Sequence, residues 1–157
     1  LLKPSFGVST PDAYRRWSGS RELPGIPYGE QDVGGHVLVN DLERPVFEKH
    51  LFLAEMKRWL VKRPGVCGAM MSGSGSTMFA VVEDEGTGRA LMEELFHRMQ
   101  ERKVRVIHLD VRLSNTPARN LYESLGFVQD GLRKGYYDLP KEDAVLMSRT
   151  DESVPKR

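Results

Sequence analysis

Cysteine is nearly absent from this chain. Cys67 is the single one among 157 residues, which excludes an internal disulfide and the small cross-linked secreted folds that depend on one. An excess of charge is missing too. Against 23 Lys and Arg stand 22 Asp and Glu, for a formal net charge of +1, so there is no electrostatic case for nucleic acid despite the basic end at Lys156 and Arg157. No apolar run reaches the ~20 residues that cross a bilayer, and no signal-peptide pattern is present. His36, His50, His97 and His108 lack ligand spacing, so no metal centre is expected. There is no internal repeat. These absences point to a soluble, cytoplasmic domain, and 39% hydrophobic residues are enough to bury a core of one-domain size. The chain opens on Leu1, which leaves room for a preceding segment.

What is present is a series of segments with clear periods. A strand is expected over about 1–6. Thr10 followed by Pro11 starts a short helix, and Asn40 with Glu43 three positions on is a capping-box-like start to a long one reaching about Arg63. Val66–Met71 and Thr77–Val82 read as strands around the loop Ser72–Ser76. Helix 87–102 carries Leu91, Met92, Leu95, Phe96 and Met99 at spacings of three and four, so one face packs. Val104–Val111, short, apolar and β-branched, reads as a strand buried on both faces. Ser114 or Asn115 caps helix 115–125, Pro117 suits its first turn, and Gly126 ends it where a left-handed residue is needed. Phe127–Arg133 and Ala144–Arg149 are strands around the loop Gly135–Glu142. Ser18–Gly35 reads as a long ordered loop or a mobile flap, and the tail 151–157 as frayed.

Several residues could carry chemistry. Free N–H groups at a helix opened by Gly86-Thr87-Gly88 form an anion site, or else the glycines make a flexible turn; Glu83-Asp84-Glu85 stands just before them. Asp110 reads as a solvated strand end or a base, Tyr122 as a packed helix residue or an acid, Asn115 as a cap or a ligand contact. The loop Ser72-Gly73-Ser74-Gly75-Ser76 is a phosphate nest or a hairpin turn.

The stretch VRVIHLDVRLSNTPARNLYESLGFVQDGLRKGYYDLPKEDAVLMSR, residues 104–149, resembles the C-terminal half of GNAT N-acetyltransferases of the ribosomal-protein-alanine type, and the resemblance extends over 83–157. It implies that Gly86, Thr87 and Gly88 hold the pyrophosphate of acetyl-CoA. It also implies that Asn115 contacts the pantetheine or phosphate arm. Acetyl transfer needs an amine deprotonated and a thiolate protonated. By resemblance Asp110, standing where the family has Glu, is the base and Tyr122 the acid.

Residues 1–82 resemble a different family. KPSFGVSTPDAYRRW, VNDLERPVFEKHLFLAEMKRWL and GAMMSGSGSTMFAVV are similar to the C-terminal half of GHMP kinases, in particular the 4-diphosphocytidyl-2-C-methylerythritol kinases of isoprenoid biosynthesis. The phosphate loop and the catalytic Asp–Lys pair of that family lie in its N-terminal half and have no counterpart here.

The expected architecture is one α+β domain over 1–150, with 1–82 GHMP-kinase-like (ferredoxin-like) and 83–150 GNAT-like. A single mixed, mostly antiparallel sheet carries flanking helices, with strand 104–111 central and parallel to a neighbour. The expected function is acetyl-CoA-dependent N-acetylation of an amine, a protein N-terminus included. One alternative is a kinase piece inactive alone; another is a non-catalytic folded chimera or interaction module.

Overall fold

The computed structural model describes residues 1–4 and 6–155. Its contacts divide it into two compact units, Leu1–Gly88 and Arg89–Arg157. The division falls close to the point where the resemblance changes.

In the first unit, α1 (Thr10–Arg16) begins with Pro11 in its first turn, and a 3-10 turn, Trp17–Gly19, follows. The region expected as a loop or flap contains a hairpin, β1 (Gln31–Val33) and β2 (His36–Leu38). Gly34 and Gly35 connect the strands at φ 61° and 81°, the left-handed pair that a two-residue hairpin turn requires. The expected long helix is two. α2 (Glu43–Lys49) and α3 (Leu51–Val61) are separated by His50 at φ −119°, ψ 72°, and the His50 ring stacks on Phe6 at 5.3 Å. The strand expected over about 1–6 reduces to one bridge, Leu2 with Met78.

β3 (Val66–Met71) and β4 (Met78–Val82) pair antiparallel. The outer edge of β3 is finished by side chains. Gln31 accepts from Ala69 N–H and donates to Ala69 C=O, both at 3.0 Å. Glu43 accepts from Met71 N–H at 2.7 Å and Asn40 donates to Met71 C=O at 2.6 Å. Phe47, Leu53, Met71 and Met78 are fully buried in this unit. So are Glu43 and Lys57, which form an ion pair.

α4 (Glu85–Glu101) crosses the division. In the second unit its Met92 and Phe96 pack on a sheet of β5 (Val106–Arg112), β6 (Val128–Asp138) and β7 (Lys141–Thr150). α5 (Thr116–Ser124) covers the same face through Ala118, Leu121 and Tyr122, around a core of Val111, Leu125, Phe127, Val145 and Met147. Gly126 has φ 84° at the end of α5, as expected. The expected loop Gly135–Glu142 is the tip of a longer β6–β7 hairpin.

The α+β class holds, with a correction to the sheet. In place of a single mixed sheet there are, among the described residues, three small antiparallel ones, β1–β2, β3–β4 and β5–β7–β6. β5 is not central and has no parallel neighbour: it is an edge strand, paired antiparallel with β7 alone among the described strands. Nor is β5 buried on both faces as expected: its apolar residues alternate with His108, Asp110 and Arg112, and His108 is exposed, the one-sided burial of an antiparallel strand.

Candidate active site

Alternation along β5 decides where its side chains go. Ile107, Leu109 and Val111 turn into the core beneath α4 and α5, so His108, Asp110 and Arg112 lie on the face away from the helices. That face is a layer of paired polar groups. Arg133 donates to Asp110 Oδ2 at 3.2 Å and its guanidinium lies 4.9 Å over the Tyr136 ring. Arg112 bonds Glu142 at 3.1 Å and lies 4.1 Å over Tyr137. Ser148 donates to Asp130 at 2.9 Å, and His108 Nδ1 stands 3.9 Å from the other oxygen of that carboxylate.

Tyr122 is on the other side of the sheet. Its ring packs 5.7 Å from Phe127, and burial pushes its phenol above the ordinary value. At neutral pH it therefore keeps its proton. The structure thus places the two sequence-derived catalytic candidates on opposite faces of one sheet, Asp110 held by Arg133 and Tyr122 in the core.

Asn115 is the cap of α5: its Oδ1 accepts from Ala118 N–H at 3.2 Å. The sequence-level choice between Ser114 and Asn115 resolves to Asn115. Ser114 instead donates its N–H to Glu142, and its hydroxyl and N–H together hold the Glu142 carboxyl below the usual range, with Arg112 adding to the effect.

In the first unit, the start of α4 has an occupant of its own. Asp84 Oδ1 accepts from Thr87 N–H at 2.7 Å. That bond, with the Thr87 hydroxyl second and Gly86 N–H as a lesser donor, holds the Asp84 carboxyl below its ordinary value. Gly88 N–H bonds the Asp84 carbonyl within the helix at 3.2 Å. A Cβ at Gly86 would meet only Asp84 Oδ1, at 3.3 Å, and one at Gly88 only Val82, at 3.7 Å. Gly86 and Gly88 thus have room for no more than a light contact with Asp84 and Val82, while Thr87 stands close to Gly65. Asp84 takes the Thr87 and Gly86 N–H groups, so an anion held at this helix start would have to displace it.

The serine–glycine loop is a tied hairpin. Ser72 N–H bonds Thr77 C=O at 2.8 Å and Gly75 N–H bonds Ser72 C=O at 3.0 Å. Asn40 holds Gly73 C=O at 2.8 Å, and the hydroxyls of Thr10 and Ser74 are 2.7 Å apart.

Sequence reasoning missed Arg133 and Glu142, and named Asp84 only as part of the acidic run, not as the cap of α4. Asp84 was legible, being an acidic cap residue three positions before Thr87. Arg133 and Glu142 reach their partners only through strand register, which no local pattern encodes.

Residues 31–101 match the family described as GHMP kinases C terminal, and residues 82–127 match the Acetyltransferase (GNAT) family. The chain is thus similar to two families over adjoining stretches. [Ribosomal protein bS18]-alanine N-acetyltransferase of Escherichia coli (strain K12) is 40% identical over 80 residues, covering 46% of this chain and 54% of that protein. The 4-diphosphocytidyl-2-C-methyl-D-erythritol kinase of Syntrophotalea carbinolica is 39% identical over 102 residues, covering 62% of this chain and 36% of that kinase. Among solved structures, the ribosomal-protein-S18-alanine N-acetyltransferase from Escherichia coli is 36% identical with a TM-score of 0.44, over 52% of this chain and 54% of that one. The chain thus spans about half the length of the acetyltransferases it matches, and about a third of this kinase. No helix among the described residues is long and apolar enough to cross a membrane.

Proposed function

We propose that this chain is an acetyl-CoA-dependent N-acetyltransferase acting on an amine, with a protein or peptide N-terminus as the acceptor. The observation that carries the reading is the 40% identity over 80 residues to an alanine N-acetyltransferase, since the match with that family includes the segment holding Asp110 and Tyr122. Acetyl-CoA, when bound, supplies the acetyl group as a thioester. Gly86 and Thr87 N–H groups bind its pyrophosphate after Asp84 gives way, and Asn115 lies at the start of the next helix as a contact for its arm. Asp110, on the face away from the helices, accepts the amine proton. Tyr122 is kept protonated by burial on the other face, so it serves as the acid for the departing thiolate only if its ring leaves the core, and otherwise water supplies that proton. The single, exposed Cys67 suits a reducing compartment such as the cytoplasm.

The test is release of free thiol from acetyl-CoA in the presence of an alanine-led peptide, with the acetylated peptide identified by mass. No product above the uncatalysed rate at millimolar acetyl-CoA would overturn the reading.

The kinase match favours a second reading, in which the chain is a C-terminal piece of a 4-diphosphocytidyl-2-C-methylerythritol kinase with no activity of its own. Binding of ATP or a cytidine diphosphate ligand without acetyl-CoA binding would select it. Binding of neither would select a non-catalytic folded chimera.

A further inference from the structure

The turn from β5 into α5 is tied to the tip of the β6–β7 hairpin, and one of its ties is made by a side chain. Leu113 N–H donates to Asp143 C=O at 3.1 Å, and Asn115 N–H donates to Arg112 C=O at 3.0 Å. Both bonds run between backbone groups and do not depend on residue type. Ser114 lies between them, and its N–H goes to the Glu142 carboxylate, as does its hydroxyl. The other oxygen of that carboxylate accepts from Arg112 Nη1 at 3.1 Å. The same guanidinium donates to Leu139 C=O at 3.0 Å and to Pro140 C=O at 3.3 Å, and it lies 4.1 Å over the Tyr137 ring. A planar fork thus fastens the hairpin tip, and Glu142 carries that fixture on to Ser114. All of these groups belong to the second unit.

What this fixture holds in place is Asn115. Its Oδ1 accepts from Ala118 N–H at 3.2 Å, which leaves its amide nitrogen to donate to a ligand carbonyl. We propose that Arg112 and Glu142 are positioning residues for acetyl-CoA, holding the turn Leu113–Asn115 in place before the ligand arrives so that the Asn115 amide already stands where the arm needs it. The inference rests on the proposed function, in which Asn115 contacts that arm.

A turn free to move would have to be ordered on binding, and that cost weakens affinity without changing the bound complex. The two side chains are 32% and 16% exposed, so the pair is more sheltered than the surface bridges that contribute little. Neither residue is assigned to the reacting atoms, which is why the expected effect is on binding and not on the chemical step.

Calorimetry with acetyl-CoA and steady-state kinetics with the alanine-led peptide, both on the full chain, test it. Glu142→Leu keeps bulk and removes both acceptor oxygens. The acetyl-CoA dissociation constant and KM should rise roughly tenfold, with kcat at saturation within about twofold of wild type. Glu142→Gln keeps an oxygen for Ser114 and should fall between wild type and Glu142→Leu. Arg112→Lys replaces the fork with a point charge and should weaken binding in the same direction. If Glu142→Leu does not fold, these two variants carry the test by the same measurements. Hydrogen exchange gives a reading that a purely structural role would not: the Ala118 amide should exchange faster in the variants and return to the wild-type rate at saturating acetyl-CoA. Unchanged affinity in the variants, a fall in kcat at unchanged KM, or Ala118 exchange that the ligand does not restore would overturn this proposal and leave the proposed function standing. A wild-type chain that binds acetyl-CoA without transferring it would sink the proposed reaction, and calorimetry on the variants would still decide the positioning role. A wild-type chain that binds no acetyl-CoA would overturn both.

Discussion

Glu43 and Lys57 form an ion pair in which neither side chain reaches solvent. Burial pushes the Glu43 carboxyl up, while Lys57 and the Met71 N–H pull it back. The same carboxylate finishes the edge of β3, so the pair joins α2, α3 and the sheet. Lys57→Ala strands a charge and should cost about 3–5 kcal/mol, read from urea denaturation. Glu43→Gln/Lys57→Met should cost less than Lys57→Ala, because no charge is left unpaired. The pH sign follows from the raised carboxyl. The folded state holds this proton more tightly than the unfolded one, so the difference in stability between wild type and Glu43→Gln should move against wild type as pH rises through the carboxylate range and above it.

Asp84 reports on the start of α4. Its carboxyl is held below the ordinary value by Thr87, so its contribution is present above the usual Asp range and lost as pH falls through the folded value. Asp84→Ala should lower the melting temperature at neutral pH and speed exchange of the Thr87 amide, with the difference from wild type vanishing in acid. Asp84→Asn should strengthen acetyl-CoA binding severalfold by removing a competing charge from the helix start. Calorimetry showing equal or weaker binding would count against a pyrophosphate site there.

Tyr122→Phe removes one hydroxyl from a packed ring, so it should leave the melting temperature within a few degrees. If Tyr122 is the acid, turnover should fall by about 10²–10⁴-fold. Asp110→Ala should lower turnover similarly, and Asp110→Glu should preserve or raise it. Equal turnover in all four proteins would assign both residues to structure alone.

Gly65 has φ +73°, and a Cβ there would lie 2.6 Å from Thr87 Oγ1. Gly65→Ala should destabilise by roughly 1–2 kcal/mol for the left-handed backbone, with the clash added. Gly65→Ala/Thr87→Ala should recover the clash and leave the backbone cost, which denaturation of the two variants separates.

Much of the fold was legible because the signals were local. Pro11, Asn115, Pro117 and Gly126 sit where capping chemistry puts them, and the apolar spacing of Met92 and Phe96 found the packed face of α4. What was not legible depended on distant partners. His50 carries no breaker signal, and it interrupts the helix where its ring meets Phe6, far away in the chain. The hairpin of β1 and β2 was announced by Gly34-Gly35, yet its strands are too short for alternation to stand out from the loop around them. At the candidate site, Asp110 and Tyr122 could be named from their resemblance, but the strand alternation and helix packing that put them on opposite faces are not written in either residue.

The capped edge of β3 has a consequence for how this chain behaves when heated or concentrated. Gln31, Asn40 and Glu43 occupy the peptide groups of Ala69 and Met71 that another strand would need, and Leu2 does the same for Met78 on β4. The β3 edge of this sheet is therefore a poor template for recruiting further chains. Gln31→Ala would expose the Ala69 amide and carbonyl while leaving the paired strands intact, turning a closed margin into one on which fibrous aggregates can grow.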